Sequence, residues 1–202
     1  LRGTGNTVIT GNSSNHKWVL TGSDVACIGN IEYLLDYATV ESGNHPTMAN
    51  NCYEYMFQNC TSLTKAPTLL ATTLTDYCYR YMFQGCTSLT QAPSLPATTL
   101  KSTCYAYMFQ GCTSLKLSTT QTGEYTVAYR IPSSGTGTTA ISALTDMLTD
   151  TGGTFTGTPE INTTYYLSSD NMVVRETEIA TLNGYVGSMI DAAIGNAIGG
   201  SY

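Results

Sequence analysis

Cys52, Met56 and Cys60 stand four residues apart, with Phe57 beside them and polar residues between. That spacing predicts one apolar face over about two helical turns. Asn59, replaced by Gly85 and Gly111 in later copies, sits where such a helix must end, and both residue types tolerate a left-handed turn. "TSLTKAPTL" then spaces Leu63, Ala66 and Leu69 along a stretch that Pro67 keeps extended. Leu74 closes the unit. Each unit reads as a short helix, a turn, a short extended segment and a return.

The unit is laid down repeatedly. Residues 52–77 and 78–103 match at 18 of 26 positions without a gap, and 104–115 matches 78–89 at 11 of 12. A fixed period of this size predicts a solenoid, because no unit buries its own apolar face and neighbours must share a core. Stacking makes columns of Cys52, Cys78 and Cys104, and of Cys60, Cys86 and Cys112. Upstream, "CIGNIEYLLDY" reads as a degenerate first unit in which Cys27 extends the first column and Leu35 takes the place of the second cysteine. Leu in a cysteine position favours a small apolar slot filled by free thiols. Disulfides and a metal site stay open as weaker readings. Seven cysteines cannot all pair, and both histidines, His16 and His45, lie outside the units.

The flanks read differently. Residues 8–10 and 18–21 predict two short strands around an Asn- and Ser-rich turn, a hairpin closing one end of the stack. "EYTVAYRIP" alternates as a strand, "TTAISALTDMLTDTGG" puts Ile141, Leu144 and Leu148 on one helical face, and "TFTGTPEINTTYYL" reads as one or two closing strands. After a linker at 169–171, Ile179, Leu182, Val186, Met189, Ala193 and Ala197 recur at near-heptad steps, which predicts a C-terminal helix. Self-association, docking back on the domain and fraying are its three possible fates. The expected division is therefore 1–23, an N-terminal hairpin cap; 24–116, the repeats; 117–168, a C-terminal cap; and 169–202, linker and helix.

Composition narrows the function. Of 202 residues 42% are hydrophobic and only 11% charged, with a net charge of -6. The surface must be built of hydroxyls and amides, which suits sugars or proteins. Lys and Arg are scattered singly, so nucleic acid is not an expected partner, and no apolar run reaches a membrane span. The opening "LRGTGNTVIT", without an initiator Met or a signal segment, reads as part of a longer polypeptide.

The "MFxGCTSL" block at 82–89 and the "APxLPATTL" block at 92–100 strongly resemble the cysteine-containing leucine-rich repeats of BspA-like surface proteins; similar units occur in tail-fibre-type proteins of gut phages. The first unit departs at Leu70, where the pattern has Pro. The resemblance covers residues 24–116. It implies an α/β fold, a leucine-rich-repeat-like right-handed solenoid of about 26-residue units with β-rich caps, used for adhesion or receptor binding. It brings no catalytic residues.

No enzyme activity, cofactor or metal is expected. "GTGNTVITG" lacks the Gly-Lys-Ser/Thr of a phosphate loop. Asp146 and Asp150 have too few acidic neighbours for a calcium loop. The candidate surface is the column Tyr55, Tyr81 and Tyr107, since core-facing Cys, Met and Phe leave one tyrosine column outward; rings that merely shield one another are the alternative. Positions that differ between units, Glu54 against Arg80 and Lys65 against Gln91, are expected to face solvent and tune specificity. The expected function is a binding module of an extracellular, cell-surface or virion protein that recognises a cell-surface glycan or protein and forms a homo-oligomer through the C-terminal helix. A purely structural component of a virion or surface assembly is the alternative, and an accessory domain of an extracellular enzyme is a third.

Overall fold

The computed structural model describes residues 1–175. The expected C-terminal helix, and assembly through it, fall on residues outside those described. The predicted α/β leucine-rich-repeat-like solenoid, with a helix in each unit, does not form. The described residues contain one α-helix, α1 (Tyr37–Glu41), which lies before the repeats, and two four-stranded sheets.

Residues 51–59 and their counterparts are linked turns rather than helix. The backbone has positive φ at every fourth residue: Asn51, Tyr55 and Asn59, then Tyr77, Tyr81 and Gly85, then Thr103, Tyr107 and Gly111. Alternate amides then do different jobs. Glu54, Met56 and Gln58 donate to the carbonyl three residues back, while Tyr53, Tyr55 and Phe57 donate to Cys78, Arg80 and Met82 of the next unit at 2.8–3.0 Å. A helix would spend all of these amides internally. Left-handed backbone costs roughly 1–2 kcal/mol at each non-glycine residue, and the bonds between units offset it.

The turns bring identical side chains into contact. Tyr53, Tyr79 and Tyr105 stack at 5.5 and 5.8 Å, and Phe57, Phe83 and Phe109 at 5.5 and 5.6 Å. All six rings are buried with Met56, Met82 and Met108. The stack continues into a fourth layer that replaces the predicted helix around residue 144. Tyr105, Tyr107 and Phe109 donate to the carbonyls of Ala143, Thr145 and Met147. Ala143 thus takes the place of the first cysteine, Leu144 of the tyrosine and Leu148 of the phenylalanine, after a step of 39 residues (104 to 143). Ser142, Asp146 and Asp150 supply its positive φ, and Ile141 is exposed.

At the other end the expected hairpin is absent: residues 8–10 and 18–21 hold no strand. Trp18 instead donates its amide to Met56 and sets its ring edge-on against Phe57 at 5.7 Å, filling the phenylalanine place above the first unit. Cys27 does not extend the first cysteine column. It follows β1 (Val25–Ala26) and bonds to Lys65, which aligns it with Ala66.

The extended limbs pair as a parallel sheet of β1, β2 (Leu63–Lys65), β3 (Gln91–Pro93) and β8 (Met172–Val174). The third unit's own strand, β4 (Lys116–Ser118), leaves this row. It joins a mixed sheet with β6 (Gly152–Gly153), β7 (Thr164–Ser168) and β5 (Tyr125–Arg130), the last at the alternating segment expected to be a strand. Residues 169–171, expected as a linker, turn into β8. Asn171 is buried, accepting from the Lys116 amide at 2.8 Å and donating to the Ser114 carbonyl at 3.1 Å.

The β4–β6 contact is close enough to exclude a side chain. A Cβ on Gly153 would lie 2.3 Å from the Leu117 carbonyl oxygen, whereas Gly157 has open space; φ is +92° and +120° respectively. Gly157→Ala therefore carries only the backbone cost, about 1–3 kcal/mol for a residue held in so sparsely populated a region. Gly153→Ala should lose about 1–3 kcal/mol more by overpacking, read from urea midpoints. Equal losses would mean the two strands do not touch there.

Candidate functional site

Tyr55, Tyr81 and Tyr107 are the residues with positive φ in the middle of each turn run. That conformation turns them out of the core while Met56, Met82 and Met108 after them, and Glu54 and Ala106 before two of them, are buried. Their rings stack at 5.0 and 4.7 Å, with planes within 4° and 10° of parallel. The result is a half-buried ladder, with ring edges and hydroxyls repeated about every 5 Å. Burial, reinforced by the Glu54 carboxylate, raises the Tyr55 phenol above its ordinary pKa, and burial followed by Tyr107 raises Tyr81. These hydroxyls are neutral donors and acceptors at physiological pH.

A second ladder runs three residues along. Gln58 donates through Nε2 to Oε1 of Gln84 at 2.6 Å, and Gln84 donates in the same way to Gln110. All three glutamines are half-buried. Sequence reasoning missed them, although an identical Gln at the third place after each tyrosine was visible in every unit. Both ladders end at the fourth layer, where Asp146 and Thr149 stand in the tyrosine and glutamine places.

The variable positions behave otherwise than expected. Glu54 is fully buried and does not face solvent; Ala106, its counterpart two units on, is buried as well. Arg80, half-buried, donates through Nε to Glu54 at 2.5 Å and lies over the rings of Tyr77 and Tyr81, 4.6 and 5.4 Å from their centroids. A buried carboxylate needs such a partner, so the difference between units at this position is a complementary pair. Lys65 and Gln91 face each other across β2 and β3, half-buried, in the other limb of the unit. The structure thus joins Arg80 to the tyrosines and separates Lys65 and Gln91 from them.

No protein-family model, curated protein or solved structure matches this chain. The site is therefore read from its own geometry.

The seven cysteines are free thiols, six of them buried. Cys60, Cys86 and Cys112 each donate to the carbonyl of the aromatic residue one layer back, Trp18, Phe57 and Phe83, at 3.0–3.3 Å. Burial pushes Cys52 and Cys112 up to about 12 and Cys104 up to about 11, and lifts Cys78 and Cys86 well above the usual thiol value. Such thiols are poor nucleophiles and poor metal ligands. Among the described residues no three His, Cys, Asp or Glu side chains are grouped to hold a metal ion. No described helix is long and apolar enough to cross a membrane.

Proposed function

We propose that this chain is a non-enzymatic binding module of a BspA-like surface or phage tail-fibre-type protein, acting outside the cell on a surface glycan or protein. The observation that carries the reading is the half-buried tyrosine ladder. Its ring edges and hydroxyls recur at 5.0 and 4.7 Å, a period suited to an extended, repetitive partner rather than a compact one. Tyrosine supplies large amphipathic contact area at small entropic cost. Arg80 is neutralised by Glu54, so the ladder carries no unpaired charge among the described residues and its affinity should change little with salt. Each rung contributes weakly, and several copies acting together would give useful avidity.

The test is a surface-binding assay on the full chain against Tyr55→Ala/Tyr81→Ala/Tyr107→Ala, with folding of the variant checked by circular dichroism. At about 0.5–1.5 kcal/mol for each aromatic contact, the folded triple variant should lose roughly 10- to 1,000-fold in affinity. Unchanged binding would return the ladder to a packing role and leave the chain as a structural component.

A further inference from the structure

A cavity of about 490 Å³ opens where the return of the second unit meets the C-terminal sheet, and it shares no residue with the tyrosine ladder. Its polar lining comes from Ser94, Ser133, Thr164 and the guanidinium-bearing Arg130 and Arg175; its apolar lining includes Leu70, Pro96 and Val173. No carboxylate lines it among the described residues. That is unusual in a chain with only eight Lys and Arg against fourteen Asp and Glu.

Arg130 is held in place by neutral acceptors alone. Nε donates to the Asn162 carbonyl at 3.3 Å, one terminal nitrogen to the Pro132 carbonyl at 2.9 Å, and the other to Oδ1 of Asn162 at 3.3 Å. Asn162 is pinned in turn, its side chain bridging the amide and carbonyl of Gly137 at 2.7 and 3.0 Å. A guanidinium has five N–H groups, so one remains on each terminal nitrogen. The side chain is fixed, its charge has no described carboxylate partner within 4.0 Å, and two donors are left over. That combination is suited to a planar bidentate carboxylate. The cavity falls within the size range of small-ligand sites. A lining that mixes hydroxyls with aliphatic carbons suits the two characters of a sugar ring, its hydroxyl edge and its C–H face.

We infer that this cavity binds an acidic sugar, a pyranose whose carboxylate sits on Arg130 while Ser94, Ser133 and Thr164 take its hydroxyls. The inference concerns a site separate from the ladder, so either can fail alone.

The experiment is a titration of the ¹⁵N-labelled full chain with glucuronate, reading the Nε–H resonance of Arg130, with glucose and acetate as comparison probes. Glucuronate should shift that resonance saturably, glucose should not, and acetate should bind at least tenfold more weakly. Arg130→Gln should abolish saturable glucuronate binding, followed on the remaining amides. Ser133→Trp, which fills the cavity while leaving every hydrogen bond of Arg130 intact, should abolish it as well, and the triple tyrosine variant should bind glucuronate normally. An unmoved Arg130 resonance, acetate matching glucuronate, or undiminished binding by folded Ser133→Trp would each overturn the assignment.

Discussion

Raising the pH from 9 to 11 should unfold this protein, at a pH where its peptide bonds are stable. Cys52, Cys78, Cys86, Cys104 and Cys112 are buried, and burial raises the pKa of each. In the unfolded chain a thiol ionises near 8.5. Each buried thiol therefore contributes stability that is fully present below that value and is lost as pH rises toward the folded value. The loss is about 1.4 kcal/mol per pH unit for each proton the folded state alone retains. With five such thiols the slope at pH 10 is roughly 6 kcal/mol per pH unit, set against about 5–15 kcal/mol for a whole domain. Circular dichroism followed against pH should show one cooperative transition, and Cys78→Ala/Cys86→Ala should flatten the slope by about two-fifths. A folded state that persists at pH 11.5 with the same stability as at pH 8 would contradict the burial of the thiols.

The second large effect belongs to the phenylalanine column. Phe83 has no exposed surface and lies between Phe57 and Phe109 at 5.5 and 5.6 Å, nearly parallel to both. Phe83→Ala should cost about 3–5 kcal/mol, enough to bring a marginal domain close to unfolding at room temperature. Because the rings touch only their neighbours, Phe57→Ala and Phe83→Ala should couple by about 0.5–1.5 kcal/mol in a double-mutant cycle. Phe57→Ala and Phe109→Ala, one layer further apart, should add independently. Urea denaturation measures both. Equal coupling in the two pairs would mean that the column does not transmit contact layer by layer.

Part of this could be read without coordinates. The 26-residue step aligned tyrosine with tyrosine, phenylalanine with phenylalanine and thiol with thiol, because identical residues at one step can share one core only by lying in one column. The strand at Tyr125–Arg130 followed from its alternation, and the ladder of Tyr55, Tyr81 and Tyr107 from the Cys, Met and Phe of each unit taking the core-facing places. Apolar residues at i, i+4 and i+8 suit a helix, but they suit equally a chain that turns left-handed at every fourth residue. The tyrosines at 55, 81 and 107 bear no mark of the conformation they adopt.

What decided between the two lies far along the chain. The Tyr53 amide is satisfied by Cys78, twenty-five positions away, and the Tyr105 amide by Ala143, thirty-eight positions away. Hydrogen bonds of that range leave no local pattern, so the turns, the fourth layer and the insertion of β8 beside β3 emerge only when the layers meet. Glu54 shows the same physics in one residue. By itself a charged, variable position belongs in water, yet it is buried because Arg80 of the next unit neutralises it. Repetition at 26 residues was enough to place the residues of the three matching units in columns. Where Cys27 and the fourth layer fall, and what the backbone does between columns, came from the fold, because half of the turn amides find their partners in the neighbouring layer.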